Sequence, residues 1–95
     1  MLVLIVNFTV KAGNEQKAID LMHKLEEHTR REPGCRLYIG MQSTEDRRRF
    51  CFYEQYENQA ALDAHRAAPY FAEYVTNGLA KLMESRTQGF FTPVS

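Results

Sequence analysis

The chain has 95 residues and a mass of 11.1 kDa, the size of one small domain. Its hydrophobic share of 44% and aromatic share of 12% exclude a disordered segment. Twelve Lys and Arg balance twelve Asp and Glu, so the basic footprint of a nucleic-acid binder is missing.

The opening run Met-Leu-Val-Leu-Ile-Val is too short to span a membrane, and no basic stretch precedes it as in a signal peptide. A cytoplasmic protein, not bound to membrane, is the expectation. Residues 2–10 are apolar and β-branched and read as a strand. Gly13 stops it, and Asn14 is a candidate cap for a helix from Glu15 to about Arg31. Ala18, Leu21, Met22, Leu25 and Thr29 share one face of that helix. Its His23 and His28 are five residues apart, which does not stack two ligands on one face. Both are expected at the surface. Pro33-Gly34 ends the helix.

Residues 35–42 and 48–56 then form a hairpin. Its polar turn contains Glu45-Asp46 and Arg47-Arg48-Arg49, a solvated charge block. With the turn centred near residue 45, Cys35 faces Gln55 and Cys51 faces Ile39. The cysteines are then about 13 Å apart along the strands, too far for a disulfide. One face of the hairpin holds Cys35, Leu37, Ile39, Met41, Cys51 and Tyr53. The other holds Tyr38, Phe50, Phe52, Glu54 and Tyr56. Strand one divides likewise, with Val3 and Ile5 opposite Leu4, Val6 and Phe8.

Asn58 is a plausible cap for a short helix over about 59–66, and Pro69 suits the first turn of another, to about Asn77, with Gly78 closing it. A last strand follows over about 83–92. The order β-α-β-β-α-β predicts an α+β, ferredoxin-like domain over residues 1–95 with a four-stranded antiparallel sheet. Both sheet faces are apolar, but the helices cover only one. The other calls for a second copy of the chain, a homodimer through sheet faces.

Three polar residues stand out. His65 follows Leu62 by three on the sheet-facing side of its helix. It reads either as a core histidine satisfied by a backbone carbonyl or as a general base in an apolar pocket. Glu54, on a face otherwise made of Phe and Tyr, needs a partner. It is either a structural acceptor or a group that orients His65 or takes a proton. Asn7 is a lone amide in a strand interior, where Asn is disfavoured, and is a candidate for a bound group. Tyr70, Phe71, Tyr74 and Val75 form a stripe that is either core or, with Phe52, the wall of a small-molecule pocket. Arg36, Arg66 and Arg86 are possible anion partners without a placement. No phosphate loop, dinucleotide fingerprint, nucleophile motif or metal-ligand spacing is present, so no flavin, nicotinamide or metal is called for.

Glu32-Pro-Gly-Cys35, Phe52-Tyr-Glu-Gln-Tyr56, Ala61-Leu-Asp-Ala-His65 and Pro69-Tyr-Phe71 together resemble the antibiotic biosynthesis monooxygenase domain, in its short, stand-alone, quinol-monooxygenase-like branch. The resemblance covers nearly the whole chain. It implies a dimeric α+β barrel with a pocket between sheet and helices in each subunit. It also implies a cofactor-independent monooxygenase that oxidises a small electron-rich aromatic, such as a quinol, with O2. His65 matches the family's helix histidine, Glu54 its strand glutamate, and Asn7 an asparagine that haem-degrading members use. Those members also use a tryptophan and a later histidine. This chain has no Trp and no His after residue 65, which argues against haem degradation. His65 and Glu54 are therefore the candidate catalytic pair, with Asn7, Phe52, Tyr70, Phe71 and Tyr74 as substrate contacts. Other readings are an isomerase that enolises a small, phosphorylated ketone and a non-catalytic protein that binds a hydrophobic metabolite.

Overall fold

A computed structural model describes all residues, 1–95. Strands β1 (Leu2–Val10), β2 (Cys35–Gln42), β3 (Arg49–Tyr56) and β4 (Met83–Phe91) form one antiparallel sheet in the order β2-β3-β1-β4. Helix α1 (Glu15–Thr29) connects β1 to β2, and α2 (Gln59–Ala67) follows β3. A third helical segment, α3 (residues 69–82), leads into β4. It starts as one α turn at Pro69–Phe71, widens to a π-helix over Ala72–Leu79, and returns to α at Ala80–Leu82. This is the ferredoxin-like topology that the apolar patterning predicts. No helix is long and apolar enough to cross a membrane.

The sheet's two faces follow the sequence alternation. Leu4, Val6, Phe8 and Val10 on β1 join Tyr38 on β2 and Phe50, Phe52 and Tyr56 on β3 in the hydrophobic core, under Ala18, Met22 and Leu25 of α1 and Leu62 of α2. No residue from the other face joins that cluster. There Leu37, Ile39 and Met41 are 42%, 37% and 43% exposed.

Four local expectations need correction. The hairpin register is shifted by two residues: Ile39 pairs with Tyr53, and Cys51 with Met41. Arg49 N–H bonds to the Asp46 carbonyl and Ser43 Oγ accepts from the amides of Glu45 and Asp46, which moves the turn's centre toward residue 46. An even shift keeps residues 37–42 on the faces expected for them. Cys35 lies at an irregularity opposite Tyr56 and packs against the core, not on the outer face expected for it, and both cysteines are free thiols. Asn14 does not cap α1 with its side chain, whose Nδ2 donates instead to the Lys11 carbonyl. Gly78 does not close its helix. A Cβ there would lie 3.3 Å from Leu21 Cδ1 and 3.2 Å from the Glu73 carbonyl oxygen, so the glycine admits α1 closely. Finally, His28 is not a free surface residue. Its ring stacks on Tyr70 at 4.8 Å and on Tyr74 at 5.7 Å.

Candidate active site

Asn58 places the start of α2. Its side chain accepts from the Ala61 amide at 2.9 Å, and so fixes the first turn as the sequence suggests. One turn later Leu62 and His65 point at the sheet and are buried. Gly34 sets how closely α2 approaches: a Cβ on it would lie 2.5 Å from Ala61 Cβ. The turn before β2 therefore packs directly on the helix, and it brings Glu32 to His65. Nδ1 of His65 lies 3.0 Å from Glu32 Oε2.

That contact determines the histidine's tautomer. An ionised carboxylate only accepts, so the neutral ring donates from Nδ1 and carries its lone pair on Nε2. Burial pushes the His65 pKa below the ordinary histidine value, against the raising effect of Glu32. The ring is held by aromatics: Tyr56 at 5.5 Å, Tyr38 at 5.7 Å and the edge of Phe71 at 5.2 Å. The partner is thus a side-chain carboxylate and not the backbone carbonyl of the simpler expectation.

Glu54 stands on the same inner face, paired across the sheet with Leu4 and Tyr38. The Tyr56 hydroxyl donates to its Oε1 at 2.6 Å. Loss of hydration is the largest influence on this carboxyl and raises it to about 7, although Tyr56, Arg66 and Arg86 all favour the anion. Glu54 does not orient His65; Glu32 does.

Both groups line one cavity of about 70 Å³ between the sheet and the α2–α3 layer. Leu4, Val6, Phe52, Phe71, Val75 and Leu79 supply much of its apolar wall. Arg66, Arg86 and Gln88 add polar groups. The cavity is apolar with few polar groups, the usual form of a small-molecule site.

Not all the candidates meet there. His65, Glu54, Phe52 and Phe71 line the cavity. Asn7 does not: it is exposed on the opposite face, between Cys51 and Thr87. Odd-numbered β1 residues point outward, and this parity separates it from Glu54. Tyr74 turns toward α1, beside Lys24 Nζ at 5.6 Å and His28. Tyr70 lies behind the histidine, 6.4 Å from its ring, with its hydroxyl buried and unpartnered. The cavity side of α3 is instead Phe71, Val75 and Leu79. No three His, Cys, Asp or Glu side chains cluster to hold a metal ion.

Glu32 is the partner of His65 that local patterning misses. Its contact spans 33 residues, and the only local signal is its place in the Glu-Pro-Gly turn. Arg66 and Arg86 are placed in the cavity wall, whereas Arg36 pairs with Glu57 at 3.7 Å on the surface.

Comparisons with known proteins agree with this architecture. A crystal structure described as an antibiotic biosynthesis monooxygenase superposes with a TM-score of 0.92 at 29% identity, over 100% of both chains. Protein SO0527 from Shewanella oneidensis superposes with a TM-score of 0.88 at 30% identity, covering 95% of this chain and 87% of that one. The uncharacterized protein sll1783 of Synechocystis sp. is 38% identical over 69 residues, which is 73% of this chain and 47% of that protein. The chain thus spans about half the length of the curated relative it matches. The sequence profile of the antibiotic biosynthesis monooxygenase family matches residues 1–77, and the chain belongs to that family.

Proposed function

We propose that the protein is a monooxygenase that oxidises a small quinol-type aromatic with O2 in the cavity between sheet and helices. One observation carries the reading: a buried histidine whose Nδ1 is held by Glu32 and whose Nε2 has no protein partner, in the wall of an apolar cavity. A quinol hydroxyl set against Nε2 loses its proton to the ring. The imidazolium that forms is stabilised by the Glu32 carboxylate, which acts as a positioning residue. The electron-rich quinolate then reacts directly with O2. One oxygen atom enters the ring and the other leaves as water, so the quinol becomes a hydroxyquinone. The cavity's part is to hold the ring in place and keep bulk water from the anion.

Glu54 is the second acid–base group. With its carboxyl pushed up to about 7, it exists in both protonation states near neutrality. It is suited to receive or return a proton as the intermediate collapses. The same pair favours a second reading, an isomerase in which His65 enolises a ketone and Glu54 reprotonates it.

We also propose that the working unit is a homodimer paired through the outer sheet faces. Leu37, Ile39, Met41 and Phe91 lie exposed there, an apolar surface of the kind that marks an interface.

The test is oxygen uptake with a panel of quinols under 18O2. The monooxygenase reading predicts O2 consumption and one labelled oxygen per product. Exchange of a substrate proton into solvent without O2 consumption would establish the isomerase. Thermal stabilisation by the quinol without either reaction would indicate binding alone.

A further inference from the structure

The acid–base and cationic side chains of the cavity fall into two sets. His65 and Glu54 are buried; Arg66 and Arg86 are exposed members of the wall. The arginines differ from most others in the chain. Arg30, Arg31, Arg36 and Arg48 each pair with a glutamate. Arg47 and Arg49 flank the solvated β2–β3 turn. Arg66 and Arg86 form no ion pair, yet they come from different elements, α2 and β4, to one cavity.

Both contact uncharged partners. The Arg66 guanidinium lies over the Phe90 ring, 5.7 Å from its centre. Arg86 donates from Nη2 to Gln88 Oε1 at 2.6 Å. Neither arrangement neutralises the charge. Glu54 forms no ion pair with either guanidinium, although both favour its anion from farther away. Two cations without an ion-pair partner at the exposed wall of an apolar cavity raise the positive potential there. The planar fork of a guanidinium matches the geometry of a carboxylate or phosphate.

We propose that Arg66 and Arg86 form an oxyanion site, so that the substrate is a small ring compound carrying a carboxylate or phosphate, with its reactive hydroxyl toward His65. This rests on the cavity being the substrate site of the proposed oxidation, and it narrows the substrate from any quinol to an acidic one.

Binding is measured by calorimetry under argon, where no O2 is present to drive turnover. The probes are hydroquinone, 2,5-dihydroxybenzoate and the methyl ester of the latter. The acid should bind about tenfold or more tighter than the ester or hydroquinone, and salt should reduce that advantage. Arg66→Gln and Arg86→Gln should each remove most of it, with thermal melts unchanged because both side chains are exposed. Arg36→Gln should leave it intact. Competition between benzoate and phenyl phosphate assigns the preferred oxyanion, and displacement by either supports the site. Equal affinity for acid and ester, or an advantage that survives in the double variant, overturns it. Oxygen uptake separates the two proposals. Tight, arginine-dependent binding of the acid without O2 consumption removes the oxidation and keeps the oxyanion site. Oxidation of hydroquinone and its carboxylic acid with equal kcat/KM, in wild type and double variant alike, does the reverse.

Discussion

The two faces of the sheet are both apolar, yet only one is chemically differentiated. On the inner face, helices α2 and α3 stop short of filling the space above Leu4, Val6 and Phe52, and a buried carboxyl and a buried imidazole share the cavity that remains. On the outer face, Leu37, Ile39 and Met41 stand in water beside the exposed amide of Asn7. The difference shows that apolar character alone does not locate a site. What marks the inner face is polar groups whose ionisation is set by burial and by a fixed partner. The outer face is where the proposed dimer contact lies.

The largest effect expected is on assembly. Ile39→Asp puts two like charges into the proposed contact and is expected to weaken association by about 4 kcal/mol, roughly a thousandfold. Sedimentation equilibrium should show wild-type dimers and variant monomers with an unchanged circular dichroism spectrum. A monomeric wild type at micromolar concentration would remove the interface role of the outer face.

Gly34→Ala acts on the inner face alone. The new Cβ meets Ala61 Cβ, part of a helix that has no flexible end to swing aside. Overpacking should cost about 2–3 kcal/mol in urea unfolding. It should also lower the rate, because α2 is pushed off the turn that carries Glu32. A variant as stable as wild type would mean that the contact is not tight.

Glu54 sets the sign of a pH effect. Its folded pKa of about 7 lies above the 4.5 of the free side chain, so the fold favours the protonated form. The contribution of Glu54 to stability should therefore fall as pH rises from about 4.5 to 7, by up to roughly 3 kcal/mol. His65 works in the opposite direction. Its lowered pKa means that its contribution is present above the ordinary histidine value and lost as pH falls. The difference between wild type and Glu54→Gln cancels the histidine. The glutamine variant should be the more stable at pH 8 by on the order of 2 kcal/mol, with the gap closing by pH 4.5. A constant gap would show that Glu54 is not buried as a free acid.

The smallest effect belongs to Asn7. Exposed on the outer face, Asn7→Ala should leave kcat/KM within about twofold, measured above the dimer dissociation constant. A large loss would bring the outer face into the chemistry.

Much of this division is legible in the sequence. The period-two alternation of β1, β2 and β3 assigns both faces, except at Cys35, even though the hairpin register is off by two, because parity survives an even shift. The α2 spacing of Leu62 and His65 places the histidine on the sheet side, and Asn58 and Pro69 mark the helix starts they were expected to mark. The same parity already sets Asn7 apart from Glu54: residue 7 falls with Val3 and Ile5, not with Leu4 and Val6. The π-helix is not legible. Its wider turn carries α3 through Gly78, where a helix stop is the local reading. Nor is Glu32 legible as the partner of His65, since the contact depends on how closely Gly34 lets α2 approach. Long-range packing, not local pattern, completes the site.

Proton removal by the free Nε2 of His65 in the inner cavity is the step on which the proposed oxidation depends. It is tested most directly by the initial rate of oxygen uptake of wild type and His65→Ala on the same quinol, with folding checked by circular dichroism. A folded variant should lose about a hundredfold or more in kcat/KM. A folded His65→Ala variant that consumes oxygen at the wild-type rate would contradict it.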